Sequence, residues 1–115
     1  MADPIPFKRP VNWARLRADQ AEAIVRERAK TEVNVIFGDH AFDRIDDRSI
    51  LAEDAYWILQ TGFVEGQPEY VGEGEWKVIM VRRMPGCREA GVVTIIVSSN
   101  DEVFVKTVEW MDWLR

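Results

Sequence analysis

The spacing of apolar residues along the chain changes at Gly62, and this change limits which folds the chain can adopt. Before Gly62 the apolar residues recur at helical spacing, whereas after it they alternate along short segments separated by turn residues. The pattern predicts strands over about 69–71, 76–83, 92–97 and 103–108. Because short turns containing Pro85, Gly86 and Asn100 connect these strands, the pattern favours antiparallel hairpins.

One of these strands differs from the others in being apolar on both faces. It is the segment VVTIIV over 92–97. In a strand with one solvent-exposed face, apolar and polar residues alternate. The continuous apolar segment 92–97 therefore predicts the most central strand of the sheet, covered on both faces.

The N-terminal part predicts a helix with a thin apolar face. Asn12 is placed to cap a helix that runs to about Lys30 through good helix formers. Its best apolar stripe is interrupted by a glutamine and consists of Trp13, Leu16, Gln20 and Ile24. A thin stripe is typical of a helix at the edge of a sheet or one that faces a partner.

Between this helix and Gly62 the sequence predicts one strand and two short helices. The strand covers 32–37, where Val33, Val35 and Phe37 alternate. The first helix covers 40–47 with Asp39 as its N-cap, and the second covers about 51–61. Gly62 is expected to end the second helix in a left-handed conformation.

These elements predict an α+β fold in a single domain. We expect a small antiparallel sheet of three to five strands with two short helices packed on one face, and an extra N-terminal helix. At 115 residues the chain has room for one domain. Its expected parts are an extended arm at 1–11, a helix at 12–31, a core at 32–109 and a tryptophan-containing tail at 110–115.

Composition excludes several classes of protein. The longest apolar run, over 92–97, is far shorter than the roughly 20 residues that cross a bilayer, so we expect no membrane contact. The N terminus lacks a secretory pattern, and Cys87 is the single cysteine, so a cytoplasmic protein is expected. With one histidine and one cysteine we expect neither a metal site nor a cofactor.

Charge is distributed unevenly along the chain. The net charge is −5, which argues against non-specific coating of nucleic acid. Residues 39–75 carry two basic and ten acidic side chains, and residues 76–91 carry four basic and one acidic. The basic segment is expected to form either a local anion site or a solvated mixed surface.

A motif at the start of the first short helix carries a family resemblance. Residues 40–51 read HAFDRIDDRSIL. This resembles the signature His-Ala-x-x-Arg-Met-x-x-Arg-x-Ile-Ser of a family of small bacterial domains that is similar to the RelE-like toxin superfamily, of the MqsR and BrnT type. The matching residues are His40, Ala41, Arg44, Arg48, Ile50, Gly62 and Thr94. Ile45 replaces the methionine and Leu51 the serine, and the resemblance covers about 33–108.

The resemblance implies a toxin-like ribonuclease that needs no metal and is neutralised by an antitoxin. Cleavage by the 2′-hydroxyl of RNA requires a base, an acid and cations around the phosphorane. Candidates for proton transfer and for catalytic cations are His40, Tyr70, Lys77, Arg82 and Arg83. Candidates for substrate binding are Arg44, Arg48, Arg88 and Lys106. Lys77 and Arg83 should share one strand face and Arg82 the other, so we expect one of these two sets to act.

Each of these candidates also has a structural interpretation. His40, Arg44 and Arg48 recur every four residues and can pair locally with Asp43 or Asp47. The hairpin cations can protect a sheet edge from aggregation.

The alternative function is a non-catalytic module that binds a protein partner. The partner would contact the first helix, the acidic segment 39–75 or the tryptophan tail. A homodimer that buries Trp13 against Trp113 is a variant of this interpretation.

Overall fold

The computed structural model describes residues 11–86 and 88–111. It contains three α-helices, α1 (Ala18–Ala29), α2 (Asp39–Arg48) and α3 (Ala52–Thr61), and a 3₁₀ turn at Glu32–Asn34. The strands are β1 (Val35–Phe37), β2 (Phe63–Val64), β3 (Glu69–Gly72), β4 (Glu75–Met84), β5 (Arg88–Ile96) and β6 (Val103–Trp110). The fold is therefore α+β, as predicted.

The strands form one sheet in the order β1-β6-β5-β4-β2, and β3 pairs with β4 beside β2. The described chain thus has six strands, more than the three to five predicted. The prediction of a purely antiparallel sheet is wrong at one edge, because β1 runs parallel to β6 with Val35 opposite Val103. The alternation over 32–37 indicates a strand but contains no information about its direction or its partner.

The central position of the apolar segment is confirmed, since β5 lies between β4 and β6. The hydroxyl of Thr94 is fully buried there and donates to the backbone carbonyl of Val78 at 2.7 Å. This bond satisfies the polar atom inside an otherwise apolar strand.

Helices α1 and α3 pack on one face of the sheet, which we call the inner face. The largest side chains buried between these layers include Ile58, Leu59, Met80, Val92 and Val25. On the opposite face, called the outer face, Ile36 and Phe104 are partly exposed and Met111 lies over Gly91. No helix in the described part of the chain is long and apolar enough to cross a bilayer.

The N-terminal helix begins later than predicted. Asn12 accepts a hydrogen bond from the Ala14 amide at 3.0 Å, so it caps a separate turn, and α1 starts at Ala18. Residues 1–10, most of the predicted arm, lie outside the described residues. The predicted strand 32–37 likewise begins as the 3₁₀ turn and is extended only from Val35.

Two helix ends also differ from prediction. Gly38, not Asp39, is the N-cap of α2, and Asp39 is its first residue. Gly62 has φ −81° and ψ −171°, which is extended rather than left-handed. The left-handed residue is Ser49, with φ 58°, at the end of α2.

A close approach of the backbone explains the glycine at position 62. A Cβ there would lie 2.5 Å from the carbonyl oxygen of Ile58 and 2.6 Å from that of Val81. Only glycine lets α3 turn this tightly into β2 beside β4.

The predicted tail divides at Met111. Trp110 belongs to β6, and its indole Nε1 donates to the carbonyl of Arg48 at 2.8 Å, which ties the end of the sheet to the end of α2. Trp113 lies outside the described residues.

Candidate functional site

The nine predicted site residues lie on separate surfaces of the molecule. The first group is on α2, where the Arg44 guanidinium donates to His40 Nε2 at 3.3 Å and pairs with Asp47 at 3.4 Å. Asp43 and Asp46 line the same shallow depression. His40 is therefore held by a neighbour four residues along the helix, within a mostly acidic surface.

The second group lies where α2 ends against the sheet. The guanidinium of Arg88 stacks on the ring of Trp110 at 4.0 Å, and Trp110 donates to the carbonyl of Arg48. Trp110 therefore contacts two of the predicted substrate-binding residues, Arg88 through its guanidinium and Arg48 through its backbone carbonyl.

Arg82 lies on the inner face and contacts α3. Its guanidinium stacks on Trp57 at 4.4 Å and donates to the carbonyl of Thr61 at 3.4 Å. Arg26 of α1 reaches the same turn, where its Nε donates to the carbonyl of Gly62 at 2.9 Å. Two arginines therefore bind carbonyl groups at the C-terminal end of α3, where the helix dipole is negative.

The remaining cations lie on the outer face. Lys77 and Arg83 share this face of β4, but six residues along a strand separate them by about 20 Å. Lys77 pairs with Glu69 at 3.1 Å, and Arg83 lies directly across the ladder from Glu89. Lys106 is exposed on β6.

Tyr70 belongs to the other face of the sheet. Its ring packs edge-on against Trp76 with centroids 5.3 Å apart, and its hydroxyl accepts from the Gly74 amide at 3.0 Å. Tyr70 is on β3 at one side of the sheet, while His40 is on α2 beside β6 near the other side. The structure does not bring the two proton-transfer candidates together, and the cation in contact with His40 is Arg44, a substrate-binding candidate.

A surface cleft lies along α1, away from all nine of these residues. We call it the α1 cleft: it has a volume of about 700 Å³ and separates α1 from the segment before it and from the β5–β6 turn. Trp13, Ala23 and Ile24 form much of its apolar lining, and Ser98 and Asp101 form part of the opposite wall.

A partly buried arginine lies inside the α1 cleft. The Arg28 guanidinium stacks on the ring of Trp13 at 5.6 Å, and its Nη1 donates to the carbonyl of Glu102 at 3.1 Å. Burial lowers the pKa of Arg28, and the Asp101 carboxylate opposes this shift. The cleft therefore holds a guanidinium that is partly removed from solvent and lies near a carboxylate.

Gln20 also lines the α1 cleft, and one atom of its side chain has no hydrogen-bond partner within the described residues. The side-chain oxygen Oε1 of Gln20 is buried and accepts no hydrogen bond within the described residues. In the sequence, the only indication that Gln20 is unusual is that it interrupts the apolar stripe of the first helix. No pattern in the sequence predicts the partial burial of Arg28, because the groups that cover it are Trp13 and the β5–β6 turn, which is distant in the chain.

Comparison of the chain with protein-family models, with curated proteins and with solved structures found no match. The likeness to the RelE-like superfamily therefore rests on the residues of the motif alone. Nor do the described residues contain a group of three or more potential metal ligands.

Proposed function

We propose that the protein is a binding module that holds a segment of a protein partner in the α1 cleft. The observation that carries the proposal is the cleft itself, which combines apolar side chains, the aromatic ring of Trp13 and the partly buried guanidinium of Arg28. Sites of this kind, with apolar walls and a few directed polar groups, are typical of ligand recognition.

The positions of the nominated catalytic residues favour this proposal over catalysis. General acid–base cleavage needs its groups within hydrogen-bond reach of one substrate. Here His40 lies in an acidic depression on α2, Tyr70 packs against Trp76, and Arg82 binds the end of α3. Each of these side chains has a local structural partner.

A photo-crosslinking experiment in the cells that natively make the protein tests the proposal. A benzophenone amino acid is placed at Ala23 or Glu27, both exposed residues of the α1 cleft, and at Glu53 as an exposed control on α3. We expect one discrete protein adduct from the two cleft positions and none from Glu53.

Other crosslinking outcomes would contradict the proposal. Equal labelling from all three positions, or no adduct from the cleft, would show that no partner segment occupies it. An adduct of twice the chain's own mass would assign the cleft to self-association instead of to a different protein.

The competing proposal, a toxin-like ribonuclease with an antitoxin, has the motif at 40–51 in its favour. It predicts that expression in a bacterial host arrests growth and that Arg82→Ala or Arg83→Ala relieves the arrest. Under our proposal soluble wild-type protein leaves growth unchanged, because the protein acts by binding a partner segment and does not cleave RNA.

A further inference from the structure

We propose that the outer face of the sheet is the contact surface of a two-fold symmetric homodimer, in which Lys106 of each copy pairs with Glu102 of the other. The α1 cleft lies along a helix of the inner face, so this contact leaves the cleft open.

A mostly apolar row of side chains crosses the outer face from β1 to β4. The registers place its members directly opposite one another, and they are, in order, Ile36, Phe104, Ile95 and Lys77. Residues that are opposite in register project from the same face of a sheet. Ile36 and Phe104 are each 40% exposed. The row, which we call the Phe104 row, therefore leaves apolar surface in contact with solvent.

Two opposite charges flank Phe104 at equal spacing. Glu102 lies two residues before it and Lys106 two residues after it, so they are about 13 Å apart along the strand direction. Both are exposed, and both line a groove of the outer face together with Phe104 and Ile95. Among the described residues neither side chain forms an ion pair. Each charge is therefore available to a second molecule.

This arrangement becomes self-complementary when a two-fold axis runs along the Phe104 row. Such an axis lays each strand of one copy over the same strand of the other in the opposite direction, and the two sheets pack face to face. Phe104 and Ile95 then contact their own counterparts. Because Lys106 and Glu102 lie on opposite sides of the axis, each lysine faces a glutamate of the other copy, and the ion pair forms twice.

The far end of the Phe104 row also tolerates this symmetry. Lys77 approaches its own counterpart there, but its ammonium group is already paired with Glu69 at 3.1 Å. The two lysines are thus brought together as parts of neutralised pairs.

The charges of the groove favour a second copy over a nucleic acid. Glu75 and Glu102 line the groove with one cation, Lys106. A nucleic acid would bring phosphates against these two carboxylates. A second copy instead brings a lysine to each Glu102, and the equal spacing of the two charges about Phe104 is what a two-fold contact requires.

The size of the outer face sets the strength of the dimer. Four strands spaced about 4.8 Å apart, the longest of them about 30 Å in length, offer roughly 500 Å² per copy. A total of about 1,000 Å² is at the low end for specific interfaces. We therefore expect a reversible dimer with a dissociation constant in the micromolar range.

Analytical ultracentrifugation of the whole protein from about 1 μM to about 1 mM tests the association. We expect the monomer to be replaced by a species of twice its mass as concentration rises. Wild-type protein that stays monomeric at about 1 mM would overturn the proposal.

Two charge reversals locate the contact. Lys106→Glu and Glu102→Lys each create two like-charged pairs across the interface, so each should weaken the dimer by about tenfold or more. Lys30→Glu and Glu53→Lys are the matched controls, because they change the net charge equally at exposed positions away from the outer face. Equal weakening by the controls would assign the effect to net charge and overturn the contact.

Mixing the two variants separates this contact from a defect in folding. In a dimer of one Lys106→Glu chain with one Glu102→Lys chain, both contacts again join opposite charges. The equimolar mixture should therefore associate with about the affinity of wild type, while each variant alone is weaker. Circular dichroism checks that both variants are folded. Folded variants whose mixture associates no better than either alone would overturn the pairing of Lys106 with Glu102.

Discussion

At the scale of single residues, the two glycines with negative φ on either side of β4 have different reasons to be glycine. Gly62 faces the backbone carbonyls of Ile58 and Val81, and a backbone cannot withdraw without moving α3 or β4. Gly91 faces the side chain of Met111, whose sulfur is 2.5 Å from the position of an added Cβ. A flexible side chain can rotate away, so the two sites tolerate an added methyl group to different degrees.

We therefore expect Gly62→Ala to lower the free energy of unfolding by about 3 kcal/mol, near the upper end for overpacking, and Gly91→Ala by about 1 kcal/mol or less. Urea denaturation followed by circular dichroism measures both values. If the two variants lost similar amounts of unfolding free energy, the turn after α3 would have to relax around the added methyl group, which would contradict this explanation.

Thr94 provides a second test at this scale. Thr94→Val keeps the shape of the side chain but removes the hydroxyl that donates to Val78, so we expect a loss of about 1 kcal/mol in unfolding free energy. Thr107→Val is the control, because that hydroxyl is partly buried and lies 3.5 Å from its acceptor, a marginal contact. Chemical denaturation should place the control within 0.5 kcal/mol of wild type, as is usual for substitutions at minor contacts.

At the scale of elements, α3 is held at its C-terminal end by arginines from two other elements. Arg26 comes from α1 and Arg82 from β4, and both donate to carbonyls of the turn that leads into β2. The arginines thereby join three elements at one point on the inner face.

We expect Arg26→Met to cost about 2 kcal/mol of stability, because its charge-assisted hydrogen bond to the carbonyl of Gly62 is lost. Arg82→Met should cost about 1 kcal/mol, mostly from stacking on Trp57, since its bond to Thr61 is long. Arg83→Met, the exposed neighbour, is the control and should change little. A larger effect at Arg83 than at Arg82 in thermal denaturation would contradict this assignment.

The sequence predicts the secondary-structure elements of this fold better than it predicts which strands pair with each other. Alternation identifies β4, β5 and β6, and apolarity on both faces identifies β5 as central, because both signals arise from burial of each strand's own residues. The parallel pairing of β1 with β6 and the pairing of β2 with β4 depend on residues far away in the chain. The α1 cleft could not be predicted from the sequence for the same reason. Its lining residues Trp13, Arg28 and Asp101 are distant in the chain and come together only in the folded protein.

At the scale of the whole molecule, the uneven charge does not produce a continuous basic surface among the described residues. The cations of the basic segment 76–91 are divided between the two faces, with Arg82 on the inner face and Lys77 and Arg83 on the outer. Lys77 is paired with Glu69, and the net charge is −5.

We therefore expect no binding to single-stranded RNA at micromolar protein concentration and about 50 mM salt, where counterion release makes such binding strongest. Filter binding with a mixed-sequence oligonucleotide measures this. Tight binding that falls steeply as salt is raised would contradict it and would favour the ribonuclease proposal.

The parallel pairing of β1 with β6 also affects the order of events during synthesis. Translation delivers β1 early, but its hydrogen-bonding partner over residues 103–110 leaves the ribosome some 70 residues later. Until then α2, which packs chiefly on β6, has no surface to cover. The surfaces of β1 and α2 that contact β6 therefore stay uncovered during synthesis of the intervening residues, and the sheet is completed only when β6 has emerged.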